Sequence, residues 1–341
     1  MTVSGSSPRC VVIIEIYNQG IIMASNIIGP ATLAAPVQIW FEEMLLALEI
    51  PNYIHGIAAQ RKQMPGRSGV TWRGRRYNLI TPNVVPLDED LGVEVPPTPV
   101  SKVDVDARLR TYGQYVKVTE TTTATAQDPI FNVMTKLLAE AMRGTEDQLF
   151  REILATSATF LNATGGTNGD NPTNLAYSDI QRGTKLLQAN KAKTIAQNIE
   201  AQNKFGTAPQ RNAYFALCHT DLSADIEALG NFTHVSQYPD QSKVSVAEWG
   251  QSGSFRFFLS TEGKLIPGSS LLGNDVYEMY VPAMESYGVI DQNNFTADLI
   301  YHSPKYADAL EQYWTLAYKM RQAPIIFNDA WVLRMRCTLL I

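Results

Sequence analysis

The stretch from Pro51 to Glu120 limits the possible folds more than any other part of the chain, because its charge is sorted by sign along the sequence. No carboxylate occurs between Ile50 and Leu87, whereas Arg61, Lys62, Arg67, Arg73, Arg75 and Arg76 all fall there. From Asp88 to Asp106 the balance inverts, with Asp88, Glu89, Asp90, Glu94, Asp104 and Asp106 against a single Lys102. At the centre, PLDEDLGVEVPPTP (86–99) has four prolines, four carboxylates and no periodic apolar face. It cannot build a core of its own. On either side, GVTWRGRRYNLI (69–80) and LRTYGQYVKVTE (109–120) are rich in β-branched and aromatic residues with partial alternation, and they read as strands. The segment is therefore expected to be a two-armed β excursion with the Pro-rich stretch near its tip. Arms of about 20 residues would reach roughly 65 Å at about 3.3 Å per residue. The prolines would discourage strand addition at the exposed edge.

The remaining chain is long enough to hold this excursion, since 341 residues suffice for one large or two ordinary domains. Charged residues make up 18% of it, against a usual quarter, and the net charge is -5. Such a surface suits contact with other protein, and an acidic total argues against a dedicated nucleic-acid binder. Residues 36–49, PVQIWFEEMLLALE, place Val37, Trp40, Phe41, Met44, Leu45 and Leu48 at helical spacing between Pro36 and Pro51. This amphipathic helix is either an internal core helix, the general expectation for such a stripe, or a partner-binding arm. Met23 reads like a second start, which would make residues 1–22 an extension.

Asp128-Pro129 has the residues of a helix start, and an apolar face from Ile130 through Leu138 and Leu149 to Phe160 predicts a beam of roughly 30 residues, about 45 Å long. Gly144 is its weak point. After an Asn-rich loop (162–174), Ser178 and Gln181 have the spacing of a capping box for the next helix. Tyr214–Cys218 reads as a strand leading into a helix near 222–229, and further strands are expected at 255–259, 276–281, 287–290, 313–320 and 330–341. The pattern is α+β with no repeat and no linker between independent cores.

Chemistry is sparse. Three cysteines without a C-x-x-C pair support neither a disulfide framework nor a thiolate zinc site. His55, His219, His234 and His302 lack metal-ligand spacing, so no metal and no cofactor is expected. Cys218-His219 invites a nucleophile-base reading. Adjacent strand residues point to opposite faces, and a buried thiol beside a capping histidine is the simpler account. No G-x-S-x-G and no phosphate-cradling glycine motif occurs, and no apolar run near the start is long enough to span a membrane. The basic half of the excursion could bind single strands, with Trp72 and Tyr77 stacking. The alternative is that the six positive charges meet acidic charges of the same or a neighbouring chain; pairing between chains is preferred, with Arg73, Arg75 and Arg76 against carboxylates such as Asp88, Glu89 and Asp90, because complementary patches steer and register assembly.

Taken in order, Gly69–Tyr77, Tyr112–Glu120, Asp128-Pro129, Tyr177–Arg182 (YSDIQR) and Ala323–Arg334 (APIIFNDAWVLR) resemble a tailed-bacteriophage major capsid protein of the Hong Kong 97 fold, and more closely the N-four-like podophage group. The resemblance runs from about residue 36 to the C-terminus. It implies an N-terminal arm (1–60), an extended E-loop (61–120), a P-domain with a long spine helix (121–195), an A-domain (196–290) and return strands of the P-domain (291–341). It further implies a non-enzymatic protein that self-assembles into hexamers and pentamers of an icosahedral head. That head encloses double-stranded DNA without sequence-specific binding, is assembled in the host bacterial cytoplasm, and has scaffold, portal and decoration proteins as further partners. Arg73, Arg75, Arg76, Asp88, Glu89, Asp90, Trp40 and Phe41 are the residues expected at subunit contacts. Covalent cross-linking through the excursion is discounted, because Lys62 and Lys102 both lie far from its tip. Two other readings are an encapsulin-like shell for cargo enzymes and a hydrolase using Cys218 and His219.

Overall fold

The computed structural model describes residues 27–28, 53–84, 97–125, 130–164, 171–195, 212–238, 247–270, 272–292, 297–304, 310 and 312–340. The expected helix at 36–49, the Asp128-Pro129 start and the acidic tip at 86–96 lie outside the described residues, as do Trp40, Phe41, Asp88, Glu89 and Asp90.

Two sheets and one long helix carry the architecture. In the first sheet the spatial order is β1 (Ile27–Ile28), β5 (Arg110–Thr119), β15 (Tyr313–Ile326), β13 (Tyr287–Gln292) and β2 (Gln60–Met64), with β14 (Ala297–His302) also paired to β15. The second sheet runs β6 (Phe160–Asn162), β16 (Val332–Thr338), β12 (Val276–Pro282), β7 (Tyr214–His219), β10 (Phe255–Ser260), β9 (Glu248–Ser252) and β8 (Phe232–His234), with β11 (Lys264–Ile266) against β12. β3 (Thr71–Tyr77) and β4 (Lys102–Arg108) form a separate antiparallel hairpin. The mixture is the α+β architecture expected from the sequence.

The beam is helix α2 (Ile130–Leu154), preceded by the short α1 (Glu120–Thr125). Its N-terminal half buries Ile130 and Leu138 against Val118, Leu316 and Tyr318 of the first sheet. Its C-terminal half puts Phe150 and Leu154 among Tyr280, Tyr287 and Val332, where the two sheets approach each other. Full burial of one such side chain contributes about 1.5–3 kcal/mol. Packing of this face therefore holds the helix despite an internal glycine. The helix is shorter than expected. The hydroxyl of Ser157 donates to the Val332 carbonyl at 2.9 Å and draws the chain into β6, which pairs parallel to β16. Phe160, counted in the sequence as part of the apolar face, is instead a strand residue 52% exposed, with the guanidinium carbons of Arg334 and Arg336 at 5.9 and 5.6 Å from its ring.

Helix α3 (Tyr177–Ala189) covers one face of the second sheet, burying Ile180 and Leu187 against Tyr214, Phe255 and Met335. It starts two residues earlier than the Ser178–Gln181 pattern suggests, with Ala176 at the N-cap. Asp179 occupies the third helical position, and its carboxylate accepts from the Ala176 backbone N–H at 3.1 Å. Helix α4 (Ser223–Glu227) follows β7 after a short 3-10 turn. Every residue of β12 is buried, as a strand covered on both faces must be. The C-terminal strands divide between the sheets: β14 and β15 join the first, whereas β16 sits inside the second between β6 and β12. Within residues 291–341 the chain crosses from the first sheet to the second at the 3-10 turn Asp329–Trp331.

Candidate assembly surface

The excursion is rooted in a buried polar joint. Strand β2 enters along β13, pairing Gln60 with Gly288 and Met64 with Gln292. Just before it, His55 lies fully buried against α2. The Asp147 carboxylate accepts from the His55 backbone N–H at 2.8 Å and from Nδ1 at 2.7 Å. With its proton on Nδ1, the His55 ring and the His55 backbone N–H each take one oxygen of the carboxylate. The Tyr287 hydroxyl donates to the His55 carbonyl at 2.6 Å. In β2 itself, Arg61 pairs with Glu146, the residue before Asp147 in α2, and with Asp291 of β13. Burial pushes the Asp291 carboxyl up, and Arg61 opposes that shift. Sequence reading missed this joint, in which Asp147 is the buried carboxylate of α2.

Beyond the joint, β3 and β4 pair in a register that sets Arg73 opposite Asp106 and Arg75 opposite Asp104. Both pairs are bidentate: Arg73 Nε and Nη2 donate to Asp106 at 2.6 and 2.8 Å, and Arg75 Nε and Nη2 donate to Asp104 at 2.8 and 3.5 Å. These hydrogen bonds hold both aspartates below the usual carboxylate range. Within the chain, then, Arg73 and Arg75 pair with Asp106 and Asp104 rather than with the acidic stretch 88–90. The mirror-image charge of the two arms is satisfied across the hairpin itself, because antiparallel pairing lays the basic strand directly beside the acidic one. Arg76 points to the other face and has no ion pair among the described residues, and its Nε is buried without a hydrogen-bond partner there.

The returning arm is also corrected. It is β4, residues 102–108, and not 109–120. Leu109, 5% exposed, turns into a cluster with Met64, Ile290 and Ile325, after which β5 leaves the hairpin for the first sheet. Regular pairing covers seven residues per strand, about 23 Å at 3.3 Å per residue. On the inner face Trp72 packs edge-on against Phe327, with ring centroids 6.0 Å apart, and Lys62 Nζ lies 4.5 Å from the Phe327 ring. A Cβ on Gly74 would meet the Trp72 indole at 2.2 Å, so glycine there lets the ring lie over the strand. Toward the far end, Tyr77, Leu79, Ile80, Val84 and Val100 are 64, 76, 57, 90 and 58% exposed.

The Cys218–His219 pair has no catalytic geometry. Cys218 is fully buried in the second-sheet core, and desolvation pushes its thiol well above the ordinary value. His219 Nδ1 accepts from the Asp221 backbone N–H at 3.1 Å, capping the turn after β7. Among the described residues no group of three or more His, Cys, Asp or Glu side chains could hold a metal ion. No described helix is long and apolar enough to cross a membrane.

This combination of a sheet braced by a long helix, a second buried sheet and a projecting hairpin is shared with solved phage heads. The chain superimposes on the capsid of Ralstonia phage GP4 with a TM-score of 0.66 at 10% identity, covering 90% of this chain and 96% of that one. It matches the acid-stable capsid of Helicobacter pylori bacteriophage KHP30 with a TM-score of 0.59 at 8% identity, covering 82% and 88%. For Mycobacterium phage Che8 the TM-score is 0.55 at 11% identity, covering 88% and 97%. The fold is that of a shell-forming structural protein of the Hong Kong 97 type, which is not an enzyme. A search of curated proteins found no match to the chain. The family model "Phage capsid protein" matches residues 102–332, and the chain belongs to that family. It is a major capsid protein, a component of the virion that oligomerises into the icosahedral shell.

Proposed function

We propose that the chain closes the shell as hexamers and pentamers that enclose double-stranded DNA, with assembly in the cytoplasm of a bacterial host. The observation that carries this reading is the hairpin. A two-stranded ribbon is marginal in isolation, yet this one displays Tyr77, Leu79, Ile80, Val84 and Val100 to solvent. Exposed apolar surface of this kind marks a contact with other protein. In a ring of subunits each hairpin would find that cover on its neighbour. In this reading residues 61–120 are the E-loop, α2 is the spine helix, the second sheet is the core of the A-domain, and Trp40 and Phe41 serve an N-terminal arm. Portal, scaffold and decoration proteins are the partners that would start, size and reinforce such a shell. A net charge of -5 suits a container that must hold DNA without binding it tightly.

Particles purified from producing cells and treated with nuclease should keep an absorbance spectrum dominated by nucleic acid, and should release DNA on disruption. Particles that hold no DNA but co-purify with an enzyme would overturn the genome-container reading in favour of a cargo shell.

A further inference from the structure

Between the hairpin and the body runs a groove of about 910 Å³, at the upper end of the range for small-ligand sites. Alternation along β3 turns Trp72 and Arg76 toward it. Phe327 and Trp331 add two further rings from the body, and all three rings are only partly buried. The Trp331 indole is fixed by its Nε1–H, which donates to the Asn190 carbonyl at 3.0 Å. Beside the rings stand Lys62, Arg76 and Lys191, none of which has an ion pair among the described residues. Glu285 is the only carboxylate on the lining, and Lys193 already pairs with it. In a chain of net charge -5, this free positive charge is a local feature.

Lys191 is held there in a costly conformation. It follows Asn190, the C-cap of α3, with a left-handed backbone (φ 55°), where glycine is the usual residue because a Cβ is strained. Lysine at this point keeps a cation on the groove at the expense of backbone strain. Lys62 Nζ lies 4.5 Å from the Phe327 ring centre and 5.8 Å from that of Trp72, so charge and aromatic surface are within reach of one small ligand. Flat rings beside free cations match a ligand that is flat at one end and anionic at the other. An aliphatic acid or a bare phosphate would use the cations alone. We propose that the groove binds a nucleoside phosphate, the base stacking on the aromatic rings and the phosphate oxygens accepting from Lys62, Arg76 and Lys191. Trp72 and Arg76 belong to the hairpin, and Lys191, Phe327 and Trp331 to the body, so the bound ligand ties one to the other. Both walls come from a single chain, and the site therefore exists in the unassembled subunit.

The test titrates full-length, unassembled subunits calorimetrically with ATP, adenosine, inorganic tripolyphosphate and a short oligothymidylate. ATP should bind once per subunit, about tenfold or more tightly than adenosine or tripolyphosphate, because only ATP meets both the rings and the cations. It should also quench indole fluorescence, which tripolyphosphate should not, and should slow amide exchange in Thr71–Tyr77. Arg76→Gln with Lys191→Gln should weaken ATP binding about tenfold with the melting temperature of the free subunit unchanged. Oligothymidylate binding more tightly than ATP would assign the site to a single DNA strand, and the reverse order to a free nucleotide; either result upholds a nucleoside phosphate as the ligand. Tripolyphosphate or a polyglutamate peptide binding as tightly as ATP would reduce the groove to a general anion surface and overturn the proposal. ATP affinity unchanged in the double variant would overturn it too, as would the absence of binding by both ATP and oligothymidylate at millimolar concentration.

Discussion

Replacing Asp147 with alanine should loosen the root of the hairpin. The carboxylate accepts two hydrogen bonds from His55, at 2.8 and 2.7 Å, and the two residues are 4 and 0% exposed. Removing it leaves a backbone N–H and a ring N–H buried without partners, and each such donor costs about 1–3 kcal/mol. The expected loss is therefore about 4 kcal/mol, against total stabilities of roughly 5–15 kcal/mol. Urea unfolding of unassembled subunits, followed by circular dichroism, would measure it. Asp147→Asn provides an internal control. Its amide oxygen can still accept from the backbone N–H, but its NH₂ can donate to Nδ1 only if the ring proton moves to Nε2, which is buried without a partner among the described residues, so one buried donor is left unpaired and the loss should be about 2 kcal/mol. An alanine variant within about 1 kcal/mol of the parent would show that the joint is not held by these bonds, and the reasoning would fail.

Other consequences follow from the same geometry. Gly144→Ala should stabilise the subunit by about 1 kcal/mol, because glycine inside a helix is costly and the added Cβ meets the Tyr53 hydroxyl at an ordinary 3.4 Å. Destabilisation in thermal melts would contradict this. The hairpin should loosen in acid. The Asp104 and Asp106 carboxyls are held below their ordinary 3.8, so their contribution is present above that value and is lost as pH falls through the lower folded values. Amide exchange in Thr71–Tyr77, divided by the intrinsic rate at each pH, should accelerate as the pH falls below the ordinary carboxylate range, and a corrected rate that stays constant through that fall would refute the pairing. Of the three cysteines, at most Cys10 should react with a thiol reagent in the native protein, since Cys218 and Cys337 are buried and their thiols raised. Rapid native labelling of either buried thiol would be inconsistent with the second-sheet core.

Much of the fold is legible in the sequence where one residue's environment repeats at a fixed period. The stripe from Ile130 to Leu154 is such a case, and so are the strands at 214–219, 255–260 and 276–282. The helix end was misjudged because Phe160 continues the apolar spacing, while the hydrogen bond that diverts the chain comes from Val332 at the far end of the sequence. Of the hairpin's two strands only β3 is legible in the sequence; β4, Lys102–Arg108, is not, and the strand read at 109–120 pairs with β15 instead. Residues 102–108 and 110–119 take different partners on either side of Leu109, which is buried with Met64 and Ile325 from distant parts of the chain. Charge sorting correctly indicated complementary arms. It could not say whether the complement lay across the hairpin or across a subunit boundary, since only the register decides that. The groove was invisible, because it joins residues around 60–79, 190–193 and 327–331 that no local pattern links.

What the purified protein builds is the most direct test of its role in the shell. Electron microscopy of the assembled protein should show closed icosahedral shells with five- and six-fold clusters, and a reconstruction should lay the β3–β4 hairpin across the adjacent subunit. A protein that stays monomeric at high concentration, or shells in which each hairpin touches only its own chain, would contradict it.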